Sequence, residues 1–303
     1  MAGLVLLRPV TRFLSTAIKP SLLRGAKRPH RAAWGHTLLT GSKLAFLITL
    51  PAYLGHKTFK RLSYVTVVHA LDKVEELLER ADYLYSCGET EKLYQLLSQH
   101  QNSDDAELLW RLARTSRDLA QLSHTTADEK KRLTYEAFEF AKKALERNEN
   151  CFAAHKWYAV CLGDVGDYEG LKVKIGNAYI IKEHLERAIQ LNSKDATSIH
   201  ILGYWCFSFA ELPWYQQKIA AMIFASPPTA TFEEALAYFL KAEEVEPNFY
   251  SKNLVMLGKT YLMLKDKEKA VLWLTRARDY PQRTEEDKQV HKEAVELLKK
   301  LHG

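Results

Sequence analysis

The sequence predicts an all-α chain of consecutive antiparallel helix pairs, coiled into a right-handed superhelix. Three observations carry this expectation. From Ser251 to Thr284, Leu257, Gly258 and Tyr261 are followed by Ala270, Leu274 and Ala277, which fill positions 7, 8, 11, 20, 24 and 27 of a 34-residue period. The pattern returns from Ala196, with Leu202 and Gly203 at positions 7 and 8 and Ala235, Phe239, Ala242 and Pro247 at 20, 24, 27 and 32 once an insertion is allowed for. Strand signals are scarce, and Ala, Leu, Glu and Lys dominate the periodic segments.

The residue types follow from packing. Gly258 and Ala270 are small and let two helix backbones approach. Leu257, Tyr261 and Leu274 fill the groove beside them, and Ala277 admits the next helix. These are the requirements of a tetratricopeptide-like unit. One such pair cannot bury its own apolar face, so neighbours are required on both sides. About four or five pairs are expected across residues 65–300.

The units can be followed in order. Val67, Ala70, Leu71, Val74, Leu77, Leu78, Ala81 and Leu84 form an apolar stripe at helical spacing, ended by Gly88. Glu89–Gln99 reads as the partner helix through Leu93, Leu96 and Leu97. Ala106–Leu122 and Asp128–Arg147 form the next pair, with Asp104 or Asp105 as the N-cap and Ala137, Ala141 and Ala144 at close-approach positions. Trp110 and Trp157 each occupy position 4 of a unit and are expected in the core. The stretch DVGDYEG, 164–170, reads as a connection between the helices of the third unit. It lacks the ligand series of a calcium loop and the GxxxxGK[ST] arrangement of a phosphate loop. At the C-terminus, Thr284 caps a helix opening on Glu285, Glu286 and Asp287, whose apolar face (Val290, Ala294, Leu297, Leu298, Leu301) is expected to cover the last repeat.

The formal charge of +6 belongs to the N-terminal segment. Before Asp72 there are eleven Lys or Arg and no acidic residue, while residues 72–303 hold 32 basic and 37 acidic groups, a net charge of −5. A generally basic nucleic-acid-binding body is therefore excluded. Residues 1–36 have the basic, acid-free, Ser/Ala/Leu-containing composition of a mitochondrial targeting segment. Residues 37–64 form an apolar and basic linker or membrane-proximal helix. The run LAFLITLPAYL is eleven residues long, short of the roughly 20 that a span needs. Residues 65–303 are expected to form the repeat domain with its capping helix.

Chemistry-bearing signals are few. Cys87, Cys151, Cys161 and Cys206 lack CxxC spacing and read as free thiols, with no metal site and no cofactor. Cys151 and His155 are four apart, as a nucleophile and base on a helix would be, but neither an oxyanion donor nor an orienting acid follows from the spacing. The chain therefore reads as a non-enzymatic interaction protein. Two candidate surfaces remain. Lys130, Lys131, Arg132, Lys142, Lys143, Lys172 and Lys174 offer positive charge to an acidic partner. The insertion 211–228 carries more apolar material than a turn needs, and an extra short helix over the groove is expected. Beneath it, Tyr204 and Phe207, with Trp214, Tyr215, Lys218, Met222 and Phe224 above, outline an apolar groove for a lipid tail or a partner helix.

The segments GETEKLYQLL (88–97), DAELLWRLAR (105–114), HKWYA (155–159), DVGDYEG (164–170), KDATSIH (194–200) and EVEPNFYSKN (244–253) closely resemble the regulator of microtubule dynamics family from about Val67 to Leu298. The resemblance implies a helical-repeat protein that associates with microtubules, spindle and spindle poles, with mitochondrial and cytoplasmic pools and protein partners. A relative within the family is similar to a mitochondrial outer-membrane tether whose repeat domain handles lipid, which gives the alternative reading of a lipid-binding or tethering protein. The family offers no catalytic residues to carry over.

Overall fold

The computed structural model describes residues 73–224 and 227–302, and among them every regular element is helical. The expectations for residues 1–64, and for Val67, Ala70 and Leu71 of the predicted first helix, lie outside the described residues. The chain divides into two units. The repeat array begins at Arg80, and of the other unit, residues 11–79, only the opening turns of the first helix are described.

Twelve described helices run in order: α1 (73–86), α2 (Thr90–Ser98), α3 (Ala106–Ala120), α4 (Ala127–Arg147), α5 (Phe152–Glu169), α6 (Leu171–Leu191), α7 (Ala196–Ala210), α8 (Trp214–Ile223), α9 (Phe232–Val245), α10 (Ser251–Met263), α11 (Lys267–Arg278) and α12 (Glu285–His302). The pairs α3/α4, α5/α6, α7/α9 and α10/α11 pack most closely, each pair contacts the next, and α12 covers the last. The helices start where short polar side chains satisfy free N–H groups: Asp105, Thr126, Asp195 and Asp266 each accept a backbone N–H of the first turn. Thr231 and Glu234 form a reciprocal capping box on α9. Thr284 caps α12 as expected, its Oγ1 accepting Asp287 N–H at 3.1 Å while Asp287 Oδ2 accepts Thr284 N–H at 2.9 Å.

The close-approach glycines set the pair geometry. A Cβ at Gly258 would lie 2.6 Å from Leu274 Cγ, and one at Gly203 would lie 2.9 Å from the Phe239 ring. Trp110 and Trp157 are buried, as expected. Buried polar ties fix one pair on the next. His200 on α7 donates through Nδ1 to Asn253 Oδ1 on α10 (2.9 Å), an orientation set by Asn253 Nδ2 donating to Phe239 O on α9 (3.1 Å). Lys156 on α5 meets both carboxylate oxygens of Asp195, the α7 N-cap, at 3.1 Å.

DVGDYEG is not a connection. Residues 164–169 are the last turns of α5, and Gly170, with φ +88°, is the break before α6. The extra residues of this unit lengthen both helices, to 18 and 21 residues, and leave no long loop. Gly163 and Gly166 are tolerated inside α5 because they face α6, where Ile181 and Asn177 approach. The insertion contains the short helix α8, which packs on α6.

Candidate functional site

The long α5/α6 pair and its neighbour α7 line a partly open apolar cavity of about 370 Å³, within the size range of small-ligand pockets. Its α5 wall is built from Ala159, Val160, Leu162, Gly163 and Gly166, small or slender side chains that leave the volume open. Ile175, Ala178 and Ile181 of α6 face them, and Ile201, Tyr204, Trp205, Ser208 and Phe209 of α7 close the far side. Leu212 and Gln216, at the entrance to α8, complete the rim. The wall is held rigidly. Trp205 Nε1 donates to Ala178 O at 3.0 Å, its ring lies 4.5 Å from that of Phe209, and Ser208 Oγ donates to Tyr204 O at 2.8 Å. Burial raises the pKa of the Tyr204 phenol, which stays neutral.

Charge is confined to one end. Asp164, Asp167 and Lys174 border the cavity there. Asp164 is engaged by the buried guanidinium of Arg117, at 2.5 Å, and Lys174 is ion-paired with Asp167. Burial pushes the Asp164 carboxyl upward and Arg117 pulls it back, leaving it above the ordinary range.

The sequence-derived groove residues separate into three positions. Tyr204 lines the cavity. Phe207 points to another side of α7, buried with its ring 5.3 Å from that of Phe232. Phe224 lies on the α6 backbone, 3.9 Å from where a Gly176 Cβ would be. Trp214, Tyr215 and Met222 project outward, 68%, 50% and 78% exposed, and Lys218 sits 4.8 Å from the Trp214 ring. Sequence reasoning missed the α5 wall. Its signal, the small residues Ala159, Gly163 and Gly166 at helical spacing, is obscured when part of the same stretch is read as a loop.

The basic candidates also divide. Lys130 and Lys131 on α4, with Lys172 and Lys174 on α6, border the last turns of α5. The Lys131 ammonium lies 5.8 Å from the Tyr168 ring, and the charge of Lys130 reaches Asp164. Positive charge at a helix C-terminus, beside Asp164, Asp167 and Glu169, has a local electrostatic role. Arg132 is ion-paired with Glu136 at 2.7 Å. Lys142 and Lys143 are exposed about three turns further along α4, with Lys143 5.6 Å from the Phe140 ring.

The Cys151–His155 spacing yields no nucleophile. Cys151 is the N-cap of α5 with Sγ 3.4 Å from Glu107 Oε1, and burial pushes its thiol up to about 11. His155 Nδ1 pairs with His184 Nδ1 at 2.8 Å. Among the described residues, no group of three or more His, Cys, Asp or Glu is placed to hold a metal, and no helix is long and apolar enough to cross a membrane.

Fold and site together define a tetratricopeptide-type helical-repeat protein with a partly open apolar cavity and dispersed basic surface. A solved tetratricopeptide protein of Thermus thermophilus, TTC0263, shares this fold, with a TM-score of 0.54 at 16% identity over 73% of this chain and 98% of its own. The family model "Regulator of microtubule dynamics protein 1-3" matches residues 77–302, and the chain belongs to that family. Regulator of microtubule dynamics protein 1 of Pongo abelii is 64% identical over 256 residues, 84% of this chain and 82% of that protein. The Bos taurus protein of the same name is 57% identical over 300 residues, 96% and 95% of the two chains.

Proposed function

We propose that this protein is a non-enzymatic repeat scaffold that acts on microtubule dynamics, from cytoplasmic and mitochondrial pools and at the spindle and its poles in mitosis. The observation that supports the reading is membership of the regulator family, whose model matches residues 77–302, with a relative 64% identical over 256 residues. An acidic polymer surface calls for exposed positive charge. Lys131, Arg132, Lys142, Lys143, Lys172 and Lys174 are exposed candidates, Arg132 and Lys174 already ion-paired, with Lys130 half-buried beside them. Reversing Lys130, Lys131 and Arg132 to Glu in the full chain is expected to reduce co-sedimentation with polymerised tubulin. Unchanged pelleting of a folded variant would remove that patch from the account.

The cavity favours a second reading, in which it receives a lipid tail or a slender apolar segment of a partner. A volume of about 370 Å³ lined by aliphatic and aromatic groups suits such a guest. Native mass spectrometry of protein from its own cells is expected to show a copurifying lipid mass, lost when Gly163 is changed to Leu. Absence of any such mass, together with no lipid uptake by purified protein, would eliminate the lipid version.

A further inference from the structure

α8 carries apolar side chains on both faces, and only one face is covered. Gln216, Ala220 and Phe224, spaced by four, form the inner stripe. Ala220 is buried, Gln216 borders the cavity and Phe224 lies over Gly176 of α6. On the opposite side Trp214, Lys218 and Met222, also spaced by four, form an exposed stripe with Tyr215 beside it. Large apolar side chains clustered on the exposed face of a surface helix mark an interaction site. α6, on which α8 rests, adds exposed Val173, Tyr179 and Ile180, so much of the large apolar surface of the described residues gathers around these two helices.

The charge here is opposite to that of the body. Lys218 is the only charged residue of α8, and α6 holds Lys172, Lys174, Lys182 and Arg187 against Glu183 and Glu186, a net charge of +2, with Lys182 3.8 Å from Glu186. The acidic groups facing this region from neighbouring elements are engaged: Asp167 by Lys174 and Glu169 by the Tyr135 hydroxyl. Glu211, exposed before α8, is the nearest acid in sequence on its N-terminal side. A Trp, a Tyr and a Met projecting with a snorkelling Lys, from a short helix on a locally basic surface, match the interfacial layer of an anionic bilayer.

We propose that the outward face of α8 is a membrane-docking surface that seats Trp214, Tyr215 and Met222 among the headgroups of an anionic bilayer, with Lys218 toward the phosphates. This goes beyond the microtubule reading and does not depend on it. It is also distinct from a lipid held in the cavity, since these side chains point away from it.

The test uses the full chain with vesicles of phosphatidylcholine alone or with phosphatidylserine added. The eleven basic residues before Asp72 would also attract anionic vesicles, so the deciding readout is local. Lipids brominated near the headgroup are expected to quench a component of tryptophan fluorescence in the wild type that is missing in Trp214→Phe. Vesicle partitioning of the Trp214→Glu/Met222→Glu variant is expected to fall by about tenfold or more, with helicity unchanged because both side chains are exposed. Lys218→Glu is expected to weaken binding only to the anionic vesicles. Equal quenching in wild type and Trp214→Phe, or unchanged partitioning of the double variant, would overturn the proposal. A dimer in lipid-free buffer that the double variant dissociates would also overturn it and give the face to a second copy of the chain.

Discussion

Arg117 Nε on α3 lies 2.5 Å from Asp164 Oδ2 on α5, a buried ion pair that ties two repeats together at the charged end of the cavity. Burial works against the charge on Arg117, and the Asp164 carboxylate more than offsets it, so the guanidinium is held ionised. Removing one member of such a pair leaves a charge in a poorly solvated place. Asp164→Ala is expected to cost about 3 kcal/mol, measured by urea unfolding. Arg117→Met/Asp164→Leu is expected to be less destabilised than Asp164→Ala, because no buried charge is left behind.

The helix-pair contact at Gly258 gives a steric prediction. Its added Cβ would meet Leu274 at 2.6 Å, whereas one at Gly163 would meet Ile181 Cδ1 at 3.7 Å, an ordinary contact. Gly258→Ala is therefore expected to destabilise by about 1–3 kcal/mol from overpacking. Gly163→Ala is expected to leave the melting temperature within a few degrees of wild type or above it, since Ala is the better helix former. Thermal denaturation of the two single variants checks the contrast.

Two buried titrations oppose each other. Burial lowers the His200 pKa to about 4, so the stability of its neutral form is present above the unfolded value of 6.5 and is lost as pH falls toward 4. Burial raises Glu286 to about 7, above the ordinary 4.5, so its contribution is present below 4.5 and is lost as pH rises through 7. Glu286→Gln removes the second dependence and keeps an acceptor for the Tyr250 hydroxyl, 2.8 Å away. The stability of this variant relative to wild type is expected to improve by about 3 kcal/mol between pH 4.5 and pH 7. Chemical denaturation at intervals of half a pH unit measures the difference, and a constant offset would refute the assignment.

Lys265 links α10 to α11 with φ +62°, in the left-handed region. Its N–H bonds Leu262 O, and Asp266 N–H bonds Tyr261 O, the paired closure of a helix C-terminus where glycine is favoured. Lys265→Gly is expected to stabilise the chain by about 0.5–1 kcal/mol, seen as a higher denaturation midpoint with an unchanged slope.

The repeat pattern was legible wherever the period imposed a residue type. Gly258 with Leu274 and Gly203 with Phe239 are steric necessities, and necessity leaves a mark in sequence. Gly163, Gly166 and Gly170 show the limit. In DVGDYEG the turn-type residues outvote the continuing helix, and only packing against α6 makes Gly170 the break. The site was less legible for a similar reason. Tyr204 and Phe207 are three apart and read as one face, yet α9 takes Phe207 while the cavity takes Tyr204. In α8 apolar side chains fall on both faces, so the sequence pattern does not say which one docks on α6. Trp214 and Met222, expected over the groove, project outward for that reason.

The proposed engagement of microtubules is measured by a binding isotherm of the full chain against polymerised tubulin. Saturable co-sedimentation is expected, weakening as salt is raised from about 50 to 150 mM, because exposed lysines would supply the contact. Absence of pelleting above the tubulin-free control at every polymer concentration, in the low-salt buffer, would contradict it.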